Sequence, residues 1–276
     1  FITFHPSLMN GPRQRTPLDR YLVPSWEPFQ QGISGRIVSG TEKKTGLPVA
    51  FKIIDISNDS LREVYGRERH FLSKLRNKGE FVQLIDSFII GNSGVLVMER
   101  KSFDLYDRSD SGFSLSSLRR ILYQIAVCLR NLHRLGIAHL DVKPENVLVD
   151  NNDNVSLCDF GTAVEPYKKQ LFFDCVGSHF YLSPEVLQAY YGYNAFPADV
   201  WSLGILFHVV ISGTFPFQAA SEEETLANYQ HSKISLEELK RMNAPPKLVD
   251  LISKMLVVDT NERLSMQEVV QHPYFM

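Results

Sequence analysis

Hydrophobic and polar positions divide the chain into a strand-rich first part and a helical second part. Pro48-Val49-Ala50-Phe51-Lys52-Ile53-Ile54 reads as a strand in which one lysine sits among apolar neighbours. Before it, Gln30 to Val38 with Gly32, Gly35 and Gly40, then Thr45-Gly46, reads as strands joined by glycine-bearing turns. From Ser60 to Arg76 the apolar residues Leu61, Val64, Phe71, Leu72 and Leu75 recur at helical spacing opposite a charged face. Two apolar segments, Phe81 to Ile90 and Val95 to Met98, flank Gly91-Asn92-Ser93-Gly94, whose composition is that of a hairpin turn. After Glu99-Arg100-Lys101 the period changes. Leu115 to Leu135 carries a helical stripe of Leu118, Ile121, Leu122, Ile125, Leu129 and Leu132 that stops at Gly136. Asp153-Asn154 then joins two short strands, Val147 to Val149 and Val155 to Leu157, so that Asn146 and Asp159 are expected at one end of a hairpin.

This order predicts an α+β chain of two lobes: a small β-rich lobe with one main helix and a larger, mainly helical lobe, meeting near residues 99–103. The expected divisions are 1–20, a Pro-rich extension, 21–101 for the first lobe with its connection, and 102–276 for the second. The prolines of residues 1–29 favour an extended arm over a helix, with Tyr21, Leu22, Val23 and Trp26 expected to pack it on the body.

Composition narrows the function. With 276 residues and 44% apolar content the chain can bury a full core, and no apolar run reads as long enough to cross a bilayer. A net charge of -2 from 29 basic and 31 acidic residues gives no overall field for nucleic acid. The cysteines Cys128, Cys158 and Cys175 form no CxxC pair and cannot all be bridged, which points to a reducing, intracellular and cytoplasmic setting. Cys158 and Cys175 are expected to be packing residues. Phe1 opens the chain in place of Met, so a true start is expected upstream, and residues 1–29 show no secretory signal.

The most chemically pointed stretch is His139-Leu140-Asp141-Val142-Lys143-Pro144-Glu145-Asn146, where Pro144 prevents a regular helix or central strand from running through. Alone it reads either as a loop aimed at a ligand or as a polar surface turn. Asp159 converging on Asn146 would suit a hard cation such as magnesium. Lys52 reads as a lysine with an anionic partner, Glu63 or Glu68, or as one snorkelling from an edge strand. Gly32 and Gly35 fit an ordinary hairpin or a backbone that approaches phosphate.

Taken in one order, these signals resemble the eukaryotic protein kinase family over residues 21–276. Val49-Ala50-Phe51-Lys52 resembles the family's VAIK strand, His139-Leu140-Asp141 with Asn146 its HRDxxxxN loop, and Asp159-Phe160-Gly161 is its DFG. Ser183-Pro184-Glu185 stands for APE, Asp199 to Gly204 for DxWSxG, and Gly213 to Phe217 for GxxPF; Arg263 with His272-Pro273-Tyr274-Phe275 closes the domain.

The resemblance implies a bilobal kinase fold and an ATP- and Mg²⁺-dependent phosphotransferase. In it Asp141, Lys143 and Asn146 are catalytic. Lys52 oriented by Glu68, with Gly32, Gly35, Ile37, Ala50, Met98, Glu99, Lys101, Leu148 and Asp159, binds nucleotide, and Asn146 and Asp159 ligate the metal. Glu63 becomes a solvated residue. Lys143 and Ser178 resemble serine/threonine kinases, so the implied partners are proteins bearing Ser or Thr. Nucleic acid and a membrane span are not expected, and no regulatory partner is identified. Asp104, Asp107 and Glu145 are expected to favour a basic residue N-terminal to the acceptor. His139 and Phe160 are expected to stack with Leu72 and Leu84, and Arg263 to pair with Glu185.

Two residues depart from the family. Gln30 occupies the first position of GxGxxG, and Leu140 replaces the Arg of HRD, which in the family pairs with a phosphate on the activation segment. Between Thr162 and Ser178 the only hydroxyl belongs to Tyr167. A segment without a phosphate needs no arginine, so activity is expected without phosphorylation there, Leu171, Phe172 and Phe173 holding the segment by packing. The same departures support a rival reading, a pseudokinase acting as a nucleotide-binding or scaffold module.

Overall fold

The computed structural model describes residues 16–32, 35–110, 112–166, 170–218 and 220–276. Expectations for residues 1–15 and for Tyr167 lie outside these. A short turn at Pro17–Arg20 leads into β1 (Tyr21–Leu22), followed by β2 (Gln30–Gly32), β3 (Gly35–Glu42), β4 (Pro48–Asp55), helix α1 (Asp59–Lys74), β5 (Leu84–Ile90) and β6 (Ser93–Glu99). The strands form one antiparallel sheet in the order β1-β3-β4-β6-β5, with β2 paired on β3. The glycine-bearing hairpin is present, with Gly32 opposite Gly35.

Alternation along β4 sets up the site. Val49, Phe51 and Ile53 enter an apolar cluster with Tyr21, Val38, Val95 and Val97, which leaves Ala50 and Lys52 on the opposite face. Tyr21 anchors the arm in this cluster and Val23 packs against it, while Leu22 is exposed and Trp26 lies with its ring 6.2 Å from that of Phe51. Asn58 caps α1 by accepting the Leu61 N–H at 3.2 Å, and the helix buries Tyr65, Glu68, Phe71 and Leu72. A Cβ on Gly94 of β6 would lie 2.7 Å from the Tyr65 ring, so the absent side chain is what lets α1 settle on the sheet.

Phe81 lies ahead of β5. It bridges Leu157, while Val82 donates its N–H to the Leu157 carbonyl at 2.9 Å, so residues expected to begin a strand serve to join the lobes. The second lobe comprises β7 (Phe103–Asp104), α2 (Leu105–Asp110), α3 (Leu115–Arg134), β8 (Val147–Val149), β9 (Val155–Leu157), α4 (Pro184–Leu187), α5 (Ala195–Ser212), α6 (Glu222–Gln230), α7 (Glu237–Arg241), α8 (Pro246–Met255) and α9 (Met266–Val270). Strands β7, β8 and β9 form a second small sheet.

Helix α5 corrects one expectation: by length and composition it is apolar enough to cross a membrane. Every residue from Ala198 to His208 is buried, so α5 is a core helix, and α3, α7 and α8 pack against it. One apolar core, containing Leu72, Phe81, Met98, Leu157, Phe160 and Leu206, runs through both lobes.

Candidate active site

Lys52 of β4 is 4% exposed. Its Nζ donates to Glu68 Oε1 of α1 at 2.9 Å and to Asp159 Oδ1, two residues beyond β9, at 2.8 Å. One cation therefore serves two carboxylates. Burial works against the Lys52 charge, but Glu68 and Asp159 outweigh it and hold the ammonium above its ordinary value. Burial pushes the Glu68 carboxyl up to about 7 against the pull of Lys52, with Asp159 adding to the rise. Burial also acts on Asp159, yet the charge and hydrogen bond of Lys52 hold it below the usual carboxylate value. The Gly161 N–H bonded to Asp159 Oδ1 adds to the lowering there, whereas Glu68 has the charge of Asp159 beside it. Glu63 is exposed, as expected.

Asp141 is held from several sides. Asn146 Nδ2 donates to both its carbonyl and its Oδ2 at 2.8 Å, and Lys143 Nζ lies 3.1 Å from Oδ2. Oδ1 is buried with no hydrogen-bond partner among the described residues, the state of an acceptor kept open. Lys143 Nζ also donates to Ser178 Oγ at 2.5 Å. The ring of His139 packs 5.1 Å from that of Phe160, and Leu72 and Phe160 belong to one core. His139 Nδ1 accepts the Asp141 N–H at 3.3 Å, so a neutral ring carries its proton on Nε2, 3.0 Å from the Cys158 carbonyl.

Beneath the loop, Asp199 of α5 accepts N–H groups from His139 and Leu140 at 2.7 Å each, and His133 Nε2 lies 2.8 Å from it. These bonds hold Leu140 at φ 62°, a left-handed conformation.

A cavity of about 420 Å³ opens between the lobes. Ile37, Ala50, Lys52, Glu68, Met98, Glu99, Lys101, Asn146, Leu148 and Asp159 all line it. Gly32 and Gly35 do not; they form the hairpin whose first strand brings Gln30 to the wall. Asp141 and Lys143 also lie outside the lining. Sequence reasoning missed Phe29, Val82 and Phe103, which line the cavity with Arg100. Phe29 was signalled only by its place before the glycine hairpin, and Val82 by nothing local. The Arg100 guanidinium sits 5.3 Å over the Phe29 ring. Asp104, Asp107 and Glu145 gather along one wall, where burial raises Asp104, with Asp107 and Glu145 adding by charge.

Comparison with known proteins gives the family of the chain. The protein kinase domain family matches the chain over residues 29–275. The chain belongs to the protein kinase family. Human myosin light chain kinase family member 4 is 32% identical over 92% of the chain, which spans 66% of that relative's length. Human myosin light chain kinase 3 is 30% identical over the same share, and there the chain spans 31% of the relative. A probable serine/threonine-protein kinase of Dictyostelium discoideum is 30% identical over 89% of the chain and 30% of its own length. A crystal structure of Rad53 1-466 in complex with AMP-PNP superposes with a TM-score of 0.77 at 27% identity, covering 94% of this chain and 66% of that one. The fold is that of a protein kinase.

Leu140 has a specific environment. Leu140 is 5% exposed in an apolar cluster with Ala138, Leu182, Val186, Tyr193 and Ala198, against which Val164, Phe172 and Val176 of the activation segment pack. Gly177 passes so close that a Cβ there would lie 2.5 Å from the Leu140 carbonyl, and its φ of 115° suits glycine. Of the three apolar residues expected to hold the segment, Phe172 exchanges backbone hydrogen bonds of 3.0 Å with Tyr193, and Leu171 and Phe173 lie against Gly192, where a Cβ would come 3.1 and 2.9 Å from them. Leu171 and Phe173 are exposed, because side chains alternate across an extended bridge. Arg263 pairs with Glu185 through both guanidinium nitrogens, at 2.5 and 2.9 Å.

Proposed function

We propose that the chain is the catalytic domain of an ATP-dependent serine/threonine protein kinase, transferring the γ-phosphoryl group of ATP to protein hydroxyls. The observation that carries this reading is Lys52 bridging Glu68 and Asp159 on the wall of the cavity. Phosphoryl transfer depends on positioning and neutralised charge more than on covalent help. Lys52 supplies a fixed cation for the α- and β-phosphates. Asp141 keeps Oδ1 free to accept the proton of an incoming hydroxyl, while Asn146 and Lys143 hold the carboxylate in place. Lys143 is also placed to steady the γ-phosphate.

Magnesium fits the donors present. Asn146 spends its Nδ2 on Asp141, and among the described residues no donor occupies its amide oxygen or Asp159 Oδ2, leaving a neutral and an anionic oxygen for a hard cation. When bound, Mg²⁺ would neutralise charge on the phosphates.

The Lys143–Ser178 bond and the relatives named as serine/threonine or myosin light chain kinases support Ser and Thr as acceptors. The acids Asp104, Asp107 and Glu145 support a basic residue N-terminal to the acceptor. The apolar seat of Leu140 supports activity without phosphate on the activation segment. Free thiols at Cys128, Cys158 and Cys175 support a cytoplasmic setting.

Gln30 on the cavity wall favours the second reading, a nucleotide-binding scaffold. One experiment separates the two. The purified chain, treated with phosphatase, is expected to phosphorylate Ser/Thr peptides and to be stabilised by ATP with Mg²⁺, and Asp159→Asn to lose both. Stabilisation by nucleotide without transfer would establish the scaffold reading. Loss of wild-type activity on phosphatase treatment, with phosphate mapped to residues 162–178, would end the claim of phosphate-free activity.

A further inference from the structure

Glu68 can hold Lys52 only while α1 stays against the segment that follows Asp159, and a separate cluster of charges joins the two. Arg67, His70 and Lys74 recur at i, i+3 and i+7, one stripe of α1. Arg67 Nη1 donates to the carbonyl of Gly161 at 3.0 Å. The Lys74 ammonium pairs with one carboxylate oxygen of Glu165, and His70 Nε2 lies 3.9 Å from the other. Glu165 itself is anchored, because its neighbour Val164 exchanges backbone hydrogen bonds of 2.9 Å with Ala138, just ahead of the catalytic loop.

A movement of α1 that withdraws Glu68 from Lys52 must also pull Lys74 and His70 off Glu165. We propose that Glu165 is a positioning residue: its carboxylate, fixed by the Ala138–Val164 bridge, docks Lys74 and His70 of α1 and keeps Glu68 on Lys52. It is an anion written into the chain, on the segment that packs against Leu140. That the positioning serves phosphoryl transfer rests on the kinase reading; the docking itself does not.

The Lys74 and Glu165 side chains are 42% and 39% exposed, so the effect must be modest and sensitive to salt. For an exposed pair an effect of about 1.4- to 5-fold on the equilibrium is expected. The test compares wild type, Glu165→Gln, Glu165→Lys, and Glu165→Lys combined with Lys74→Glu. Each is read by hydrogen exchange of the α1 amides and by initial rate on a Ser/Thr peptide, at low and high salt.

Glu165→Gln is expected to speed α1 exchange and lower the rate by about 1.4- to 5-fold at low salt, the difference shrinking at high salt. Glu165→Lys should be worse, and the reversed pair should recover most of the loss. Wild-type exchange and rate in Glu165→Gln at low salt, or a reversed pair that recovers nothing, would overturn the proposal. If the wild type transfers no phosphate, the kinase reading fails, and exchange alone still decides whether Glu165 docks α1.

Discussion

Replacing Leu140 by arginine, the residue that the resemblance of His139-Leu140-Asp141 to the HRD motif implies for this position, is expected to damage this protein. Leu140 is 5% exposed, and burying a leucine side chain is worth about 1.5–3 kcal/mol, all of which the substitution forfeits. A guanidinium in the same place needs an anion. The carboxylate bonded to this backbone, Asp199, already accepts from the N–H groups of His139 and Leu140 and meets His133 Nε2. An uncompensated buried charge costs several kcal/mol, so the arginine would have to push out toward solvent past Phe172 and Val176. The expected destabilisation is at least about 3 kcal/mol, which at about 2–4 °C per kcal/mol lowers Tm by roughly 6–12 °C. Leu140→Met keeps the volume and should cost less than about 1.5 kcal/mol, whereas Leu140→Ala should cost about 2–5 kcal/mol. Differential scanning fluorimetry gives the ranking Met, then Ala, then Arg, and peptide phosphorylation should fall in the same order as the activation segment loosens. A Leu140→Arg protein that melts within about 2 °C of wild type and retains its rate would refute the account of this residue.

Two further predictions concern the cavity. Glu68 is raised by burial to about 7, so as pH climbs from about 4.5 the unfolded chain gives up a proton that the folded chain still holds. Its contribution to stability is therefore complete at low pH and is lost as pH rises toward 7, with a slope of at most about 1.4 kcal/mol per pH unit. Activity should move the other way, since the ionised carboxylate is the partner Lys52 needs. In urea melts across this window Glu68→Gln should lack that slope, and an unchanged slope would show that Glu68 does not titrate there. At the mouth, the Arg100 guanidinium lies 5.3 Å over the Phe29 ring, a contact worth about 0.5–1 kcal/mol at an exposed site. Arg100→Ala should accordingly weaken ATP binding by about two- to five-fold in titration calorimetry, and an unchanged Kd would remove the pair from the site.

What could be read in advance was chemistry bound to local grammar. Lys52 stands out because an apolar strand leaves a charge without company, and Asp141 with Asn146 because Pro144 breaks the backbone between them. Asn146 and Asp159 were placeable together because a short hairpin fixes the register of its two ends, here Val147 opposite Leu157. Apolar wall residues lacked such marks. Val82 belongs to the cavity through a backbone bond to Leu157, far along the chain, and nothing in its own neighbourhood separates it from plain core. Glu165 is hidden for the same reason: its partner Lys74 is 91 residues away.

Leu140 shows the limit most sharply. From the sequence, its meaning was an absence: no arginine, hence no phosphate to bind. The structure replaces that absence with an interaction, because the residue at this position must adopt a left-handed conformation that costs roughly 1–2 kcal/mol for a non-glycine side chain. Two 2.7 Å hydrogen bonds to the Asp199 carboxylate offset this cost, and they would do so for any side chain here. The side chain is therefore chosen by what lies beyond the backbone. Val164, Phe172 and Val176 line that space, so leucine provides contact with the activation segment through apolar packing, and phosphate chemistry is not required to make it.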